Sequence, residues 1–65
     1  MQILASAPTK EGIEKQINKY FYSTTYKIEQ SEKANYFNVV SIKGLNKDVI
    51  VKLENKRYKF YGLWK

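Results

Sequence analysis

The order of secondary structure in this chain follows from residues 10–22, KEGIEKQINKYFY, and from the change of pattern after them. Apolar side chains recur there at the spacing that places them on one face of an α-helix: Ile13, Ile17, Tyr20 and Phe21. Thr9 stands directly before this segment, and threonine is a favourable helix N-cap. The sequence therefore predicts a helix over residues 10–22 whose apolar stripe lies in the core.

Beyond residue 25 the period changes to two, which indicates strands. We predict strands over residues 26–30, 36–43, 49–53 and 57–63, joined by connections at 31–35, 43–48 and 54–56. A short first strand over residues 1–7 precedes the helix. Short connections imply antiparallel neighbours. The prediction is a single small α+β domain, residues 1–65, of order β-α-β-β-β-β, with one helix packed on a mostly antiparallel meander sheet. The opposite face of the sheet is then exposed to solvent or covered by a partner.

The composition argues against catalysis. The 65 residues include neither cysteine nor histidine, which removes the usual zinc ligands and the imidazole bases. The three glycines stand apart, so there is no glycine-rich phosphate loop. We expect no catalytic residue, no cofactor and no metal site, and hence a protein that is not an enzyme. No apolar run suits a membrane span and no segment suits a secretory signal, so the expected location is the cytoplasm.

The functional signal lies in residues 56–65, KRYKFYGLWK, which hold four of the ten aromatic and four of the twelve basic residues. Residues 43–65 carry six lysines and one arginine against two acids, in a chain of net charge +6. Strand alternation places Tyr58 and Phe60 in the core and basic residues outside. Cations beside an exposed ring suit a phosphate backbone with a stacked base. The candidate binding residues are Lys52, Arg57, Lys59, Tyr61 and Lys65.

Other interpretations of the same pattern remain open. Lys, Asn, Ile and Tyr supply 28 of the 65 residues, and their AT-rich codons would be abundant in a low-GC bacterial or phage genome without selection for binding. Lysines on a strand also simply keep an edge soluble. The leading hypothesis is a small binding protein for nucleic acid or a nucleoprotein, with DNA and RNA undistinguished.

Two alternatives accompany that hypothesis. The first is a protein–protein module, such as a phage or mobile-element regulator or inhibitor, that uses an unpaired sheet edge and exposed tyrosines from among Tyr22, Tyr26 and Tyr36. The second is a structural homo-oligomer, since a chain this short buries only about 60% of the surface that its unfolded form exposes.

Overall fold

The computed structural model describes residues 2–63, and it confirms the predicted α+β order. It contains one helix and five strands: β1 (Gln2–Ala7), α1 (Lys10–Tyr20), β2 (Lys27–Gln30), β3 (Tyr36–Ser41), β4 (Gly44–Glu54) and β5 (Arg57–Gly62). All strand pairs are antiparallel, in the order β1-β5-β4-β3-β2. The strands β2 to β5 form a meander, and β1 joins it beside β5. No helix among the described residues has the length and apolarity that a bilayer crossing requires.

Helix α1 begins as the sequence predicts and ends two residues earlier. The Thr9 hydroxyl accepts a hydrogen bond of 3.0 Å from the Gly12 amide, as an N-cap does. At the other end Ser23 N donates to Asn18 O and Tyr22 N donates to Lys19 O, which is the Schellman arrangement. That motif requires a left-handed residue, and here it is Tyr22, with φ 52°. The helix therefore stops because the backbone reverses at Tyr22.

The connection between β3 and β4 is shorter than the predicted loop over residues 43–48. The turn consists of residues 42 and 43, and Gly44 (φ 105°) already belongs to β4. Leu45 and Asn46 pair with Val40 and Val39, after which the pairing becomes irregular until Val51. The polar segment 46–48 has the composition of a loop because residues 47 and 48 lie within this irregular stretch of β4.

The core lies between α1 and one face of the sheet. Its buried members are Ala7, Ile13, Ile17, Ile28, Val39, Val49, Val51 and Phe60. Phe60 has no exposed surface, and Tyr20 and Phe21 contact it edge-on at ring-centroid distances of 5.5 and 6.1 Å. Tyr20 nevertheless remains 42% exposed, so only part of the predicted helical stripe is fully buried. Helix α1 lies nearest the β1 and β5 side of the sheet.

The two edges of the sheet differ in how their backbone groups are satisfied. At the β2 edge, Glu14 Oε2 accepts from the Ile28 amide at 2.9 Å. Just before β2, Asn18 accepts from the Tyr26 amide at 2.8 Å and donates to the Tyr26 carbonyl at 3.1 Å. Side chains of α1 thus cover that edge. Strand β1 pairs with β5 on one side, and its other side receives no backbone hydrogen bond from any residue between 2 and 63.

Candidate binding surface on the open face of the sheet

The face of the sheet away from α1 carries the basic residues of the C-terminal hairpin. On β5, Phe60 points into the core, so by alternation Arg57, Lys59 and Tyr61 point away from it. Lys52 lies directly opposite Lys59 on β4 and shares this face. We call this surface the open face.

The structure therefore brings four of the five sequence-predicted binding residues together: Lys52, Arg57, Lys59 and Tyr61. The fifth, Lys65, lies outside the described residues.

Strand register arranges the open face in parallel rows. One row is apolar and runs across three strands, with Tyr61 opposite Ile3 on β1 and opposite Ile50 on β4. The next row is basic and aromatic, with Lys59 opposite Lys52 and Lys52 opposite Tyr36 on β3. The Tyr61 ring is half-buried between two isoleucines and borders the cations along one side only.

Glu54 joins the two lysines of the basic row. Its carboxylate lies 2.8 Å from Lys59 Nζ and 3.2 Å from Lys52 Nζ. The hydrogen bond from Lys59 lowers the pKa of Glu54, and the hydrogen bonds to Glu54 raise the pKa of Lys52 and of Lys59. Like charges directly opposite one another destabilise a strand pair. Glu54 offsets that repulsion, and all three groups are charged at neutral pH.

Sequence reasoning identified both lysines and missed their carboxylate. The hairpin loop is Asn55-Lys56, with both residues at positive φ (52° and 64°), so Glu54 pairs with Arg57. A two-residue loop at this position makes Lys52 face Lys59 and places Glu54 on the same side. The register was therefore available from the sequence once the loop was assigned two residues instead of three.

Tyr36 adds a second ring to the open face. Two ammonium groups lie over it, with Lys52 Nζ 5.6 Å and Lys33 Nζ 5.7 Å from the ring centroid, which is cation–π distance. A shallow groove of about 340 Å³ runs beside this ring, at the small end of ligand-site volumes. It is lined by Ser31, Glu32, Lys33, Tyr36, Asn38 and Ile50.

The three tyrosines left open by the sequence take three different positions. Tyr36 lies on the open face, as described. Tyr26 packs on the core side, with its ring stacked on Phe21 at 4.6 Å. Tyr22 follows the helix and is 98% exposed. They do not form one patch, so a joint tyrosine interface is absent.

Arg57 stands at the edge of the open face with part of its donor capacity unused. Its Nε donates to Ser6 Oγ at 3.0 Å, which positions the guanidinium beside β1. Its two terminal nitrogens have no partner among residues 2–63. A guanidinium held through Nε keeps a planar pair of donors for a phosphate oxygen.

The open face thus brings together three cations, Lys52, Arg57 and Lys59, and the rings of Tyr36 and Tyr61. Among the described residues, no three acidic side chains come together as a potential metal site. Comparison with known proteins adds no relative, because no family model, no curated protein and no solved structure matches the chain.

Proposed function

We propose that this protein is a small non-enzymatic binding protein of the cytoplasm that engages single-stranded nucleic acid through the open face of its sheet. The observation that carries the proposal is the placement of Lys52, Arg57 and Lys59 on one exposed face beside Tyr61 and Tyr36. Cations on such a face attract phosphates, and rings on it stack with bases that are not already paired.

A single strand suits this surface better than a duplex. Between residues 2 and 63 the open face consists of strands, and the helix lies on the other face, whereas duplex readout relies on a helix or ribbon that enters a groove. Flat sheets that present rings are instead a known solution for unpaired bases. With one arginine in the chain, bidentate guanine contacts are scarce, so we expect little sequence preference.

The test is fluorescence anisotropy of a labelled single-stranded oligonucleotide and its duplex, titrated at low and at near-physiological salt. The variant is Lys52→Gln/Arg57→Gln/Lys59→Gln. Neutralisation is preferable to charge reversal, because reversal would add carboxylates beside Glu54 and endanger the fold. The matched control, Lys10→Gln/Lys15→Gln/Lys19→Gln, removes the same charge from the exposed side of α1.

Three phosphate contacts on a single strand correspond to a slope of at most roughly −2 in log affinity against log salt, which is reached when phosphates displace Glu54 from Lys52 and Lys59. The open-face variant should lose most of the slope that the wild type shows. The control should keep it. Equal loss in both variants would mean that only net charge matters, and the proposed site would be wrong.

A protein-binding role is the second candidate, and the unpaired backbone of β1 is the observation that favours it. Binding by strand addition depends on backbone hydrogen bonds and apolar contacts, so it should be far less sensitive to salt than phosphate binding. Salt dependence therefore separates the two candidates.

A further inference from the structure

The contrast between the two sheet edges has a functional meaning. Exposed edge strands invite pairing with other chains, and natural proteins protect them with charge, short length or a cover. Strand β2 shows all three, since it has four residues, carries Lys27 and Glu29, and is capped by α1 through Glu14. Strand β1 shows none of these three, with six residues, QILASA, and no charge or proline, and its single irregularity is the register shift between Ile3 and Ala5. One edge is protected and the other is available.

A second feature adjoins the same edge. On the helix side of β1 lies an open depression of about 390 Å³, lined by Leu4, Ala5, Gln16, Lys19, Tyr20 and Tyr22. Tyr22 is 98% exposed and occupies a left-handed position where glycine is the usual residue. A tyrosine there costs stability in the isolated domain. Residues that break a local conformational preference concentrate at functional surfaces. Tyr22 is such a residue, and it borders the unpaired edge of β1.

We propose that the free edge of β1 pairs antiparallel with β1 of a second copy of this chain. An unpaired strand dictates an extended partner, and antiparallel pairing about a two-fold axis satisfies both copies equally. Strand-adding partners are normally selected by charges and side-chain pockets. Because β1 has no charged residue, no register of self-pairing places two charged side chains of this strand opposite each other, although each chain carries +6.

The geometry of such a pair joins the two sheets into one. The register shift between Ile3 and Ala5 brings Ile3 and Ser6 to the same, open face of β1. With the axis between Leu4 and Ala5, Ile3 of each copy then lies opposite Ser6 of the other on that face. The small side chains of Ala5, Ser6 and Ala7 leave room for close approach, and the depression beside Tyr22 receives apolar side chains from the second copy. The two open faces then form one continuous surface.

The dimer is expected to be weak and to respond to salt in a characteristic way. A six-residue strand pair contributes less than the roughly 800 Å² per partner of a standard interface. We therefore expect a dimer dissociation constant in the micromolar range or higher. Two chains of charge +6 repel each other, and salt screens that repulsion. Dimerisation should therefore strengthen as salt rises, whereas nucleic-acid binding should weaken.

The test is sedimentation equilibrium of the whole chain from micromolar to near-millimolar concentration, at low and high salt. Ile3→Lys places a charge in the β1 edge and should weaken association by at least about ten-fold. Ile42→Lys is the matched control, since Ile42 is 87% exposed in the turn after β3, away from this edge. It should associate like the wild type. A wild-type chain that stays monomeric throughout, or association equally sensitive to both substitutions, overturns the proposal.

Hydrogen exchange locates the contact directly. Amides of β1 that point away from β5 should exchange rapidly in dilute protein and slow down as the concentration rises. The Ile28 amide, which Glu14 binds at 2.9 Å, should be protected at every concentration and serves as the internal reference. Concentration-dependent protection at another surface, with β1 unchanged, would refute β1 pairing even if an oligomer forms.

The substitution Tyr22→Gly distinguishes a role of Tyr22 in the dimer contact from its effect on the stability of the fold. Glycine removes the left-handed strain, so the variant should unfold at a higher temperature while associating more weakly than the wild type. Opposite shifts in the two measurements support a role for this ring in the contact. Unchanged association would exclude Tyr22 from the interface.

Discussion

Glu54→Gln is the most informative single substitution on the open face, because it should strengthen binding while weakening the fold. The carboxylate lies 2.8 and 3.2 Å from the ammonium groups of Lys59 and Lys52. A phosphate that approaches these lysines must compete with it. Glutamine has nearly the same shape and carries no charge, so both lysines become available to a nucleic acid.

The size of the effect on affinity follows from the number of lysines that Glu54 no longer binds. Each lysine that neutralises a phosphate of a single strand adds about 0.7 to the slope of log affinity against log salt. Where Glu54 withholds both lysines from phosphates in the wild type, Arg57 alone contributes, and the two freed lysines add at most roughly 1.4. This contribution vanishes at about 1 M salt. At about 0.1 M salt it raises the affinity for the single strand by at most about 25-fold. The assay is anisotropy of a labelled single strand across a salt series.

Two controls accompany this measurement. Glu11→Gln makes the same change of net charge on the exposed first turn of α1, and it should strengthen binding only slightly. Thermal unfolding must be recorded first, because Lys52 and Lys59 face each other directly and repel without Glu54. If affinity falls in Glu54→Gln, or rises equally in Glu11→Gln, phosphates do not bind at this lysine pair.

The remaining predictions concern stability. The pKa of Glu54 is lowered from 4.5 in the folded state, so its contribution to the stability of the fold is present above that pH and disappears as the pH falls through the lowered value. Thermal unfolding should therefore show the wild type more stable than Glu54→Gln at neutral pH and equal to it in strong acid. The pKa values of Lys52 and Lys59 are raised from 10.5, so the same advantage should fade as the pH rises through those raised values. Asn18→Ala removes the cap on the Tyr26 backbone and should lower the free energy of unfolding by about 1–2 kcal/mol. Lys15→Ala, at an exposed position of α1, should change it by less than about 0.5 kcal/mol in the same urea titration, and equal losses would contradict the capping role.

The parts of the fold that the sequence predicted correctly are those governed by local patterns. The Thr9 cap, the helical spacing of Ile13 and Ile17, and the alternation through Tyr58 and Phe60 each depend on neighbours in the chain. Their burial confirms the pattern, with both isoleucines and Phe60 fully enclosed. The division of β5 into a core side and an open side followed from the same alternation.

The parts that could not be predicted depend on partners distant in sequence. Position 12 illustrates this, because glycine inside a helix ordinarily only lowers its stability. A Cβ at Gly12 would lie 3.0 Å from Thr9 Oγ1 and 3.2 Å from Ala7 Cβ, so glycine permits the cap and the close approach of α1 to β1. The caps that Glu14 and Asn18 place over the β2 edge likewise exist only once the helix has crossed the sheet.

The pairing of β1 with β5 has a consequence for how the domain comes into being. The first strand finds its partner only in the last, with Ala7 opposite Tyr58 and Gln2 opposite Gly62. Loop closure over such a separation is slow relative to the local hairpins of β2 to β5. During synthesis, the uncharged β1 segment has no strand to pair with until β5 has been synthesised through residue 62. The strand most apt to pair with another chain is thus also the one exposed longest on a polysome, where neighbouring copies are close at hand.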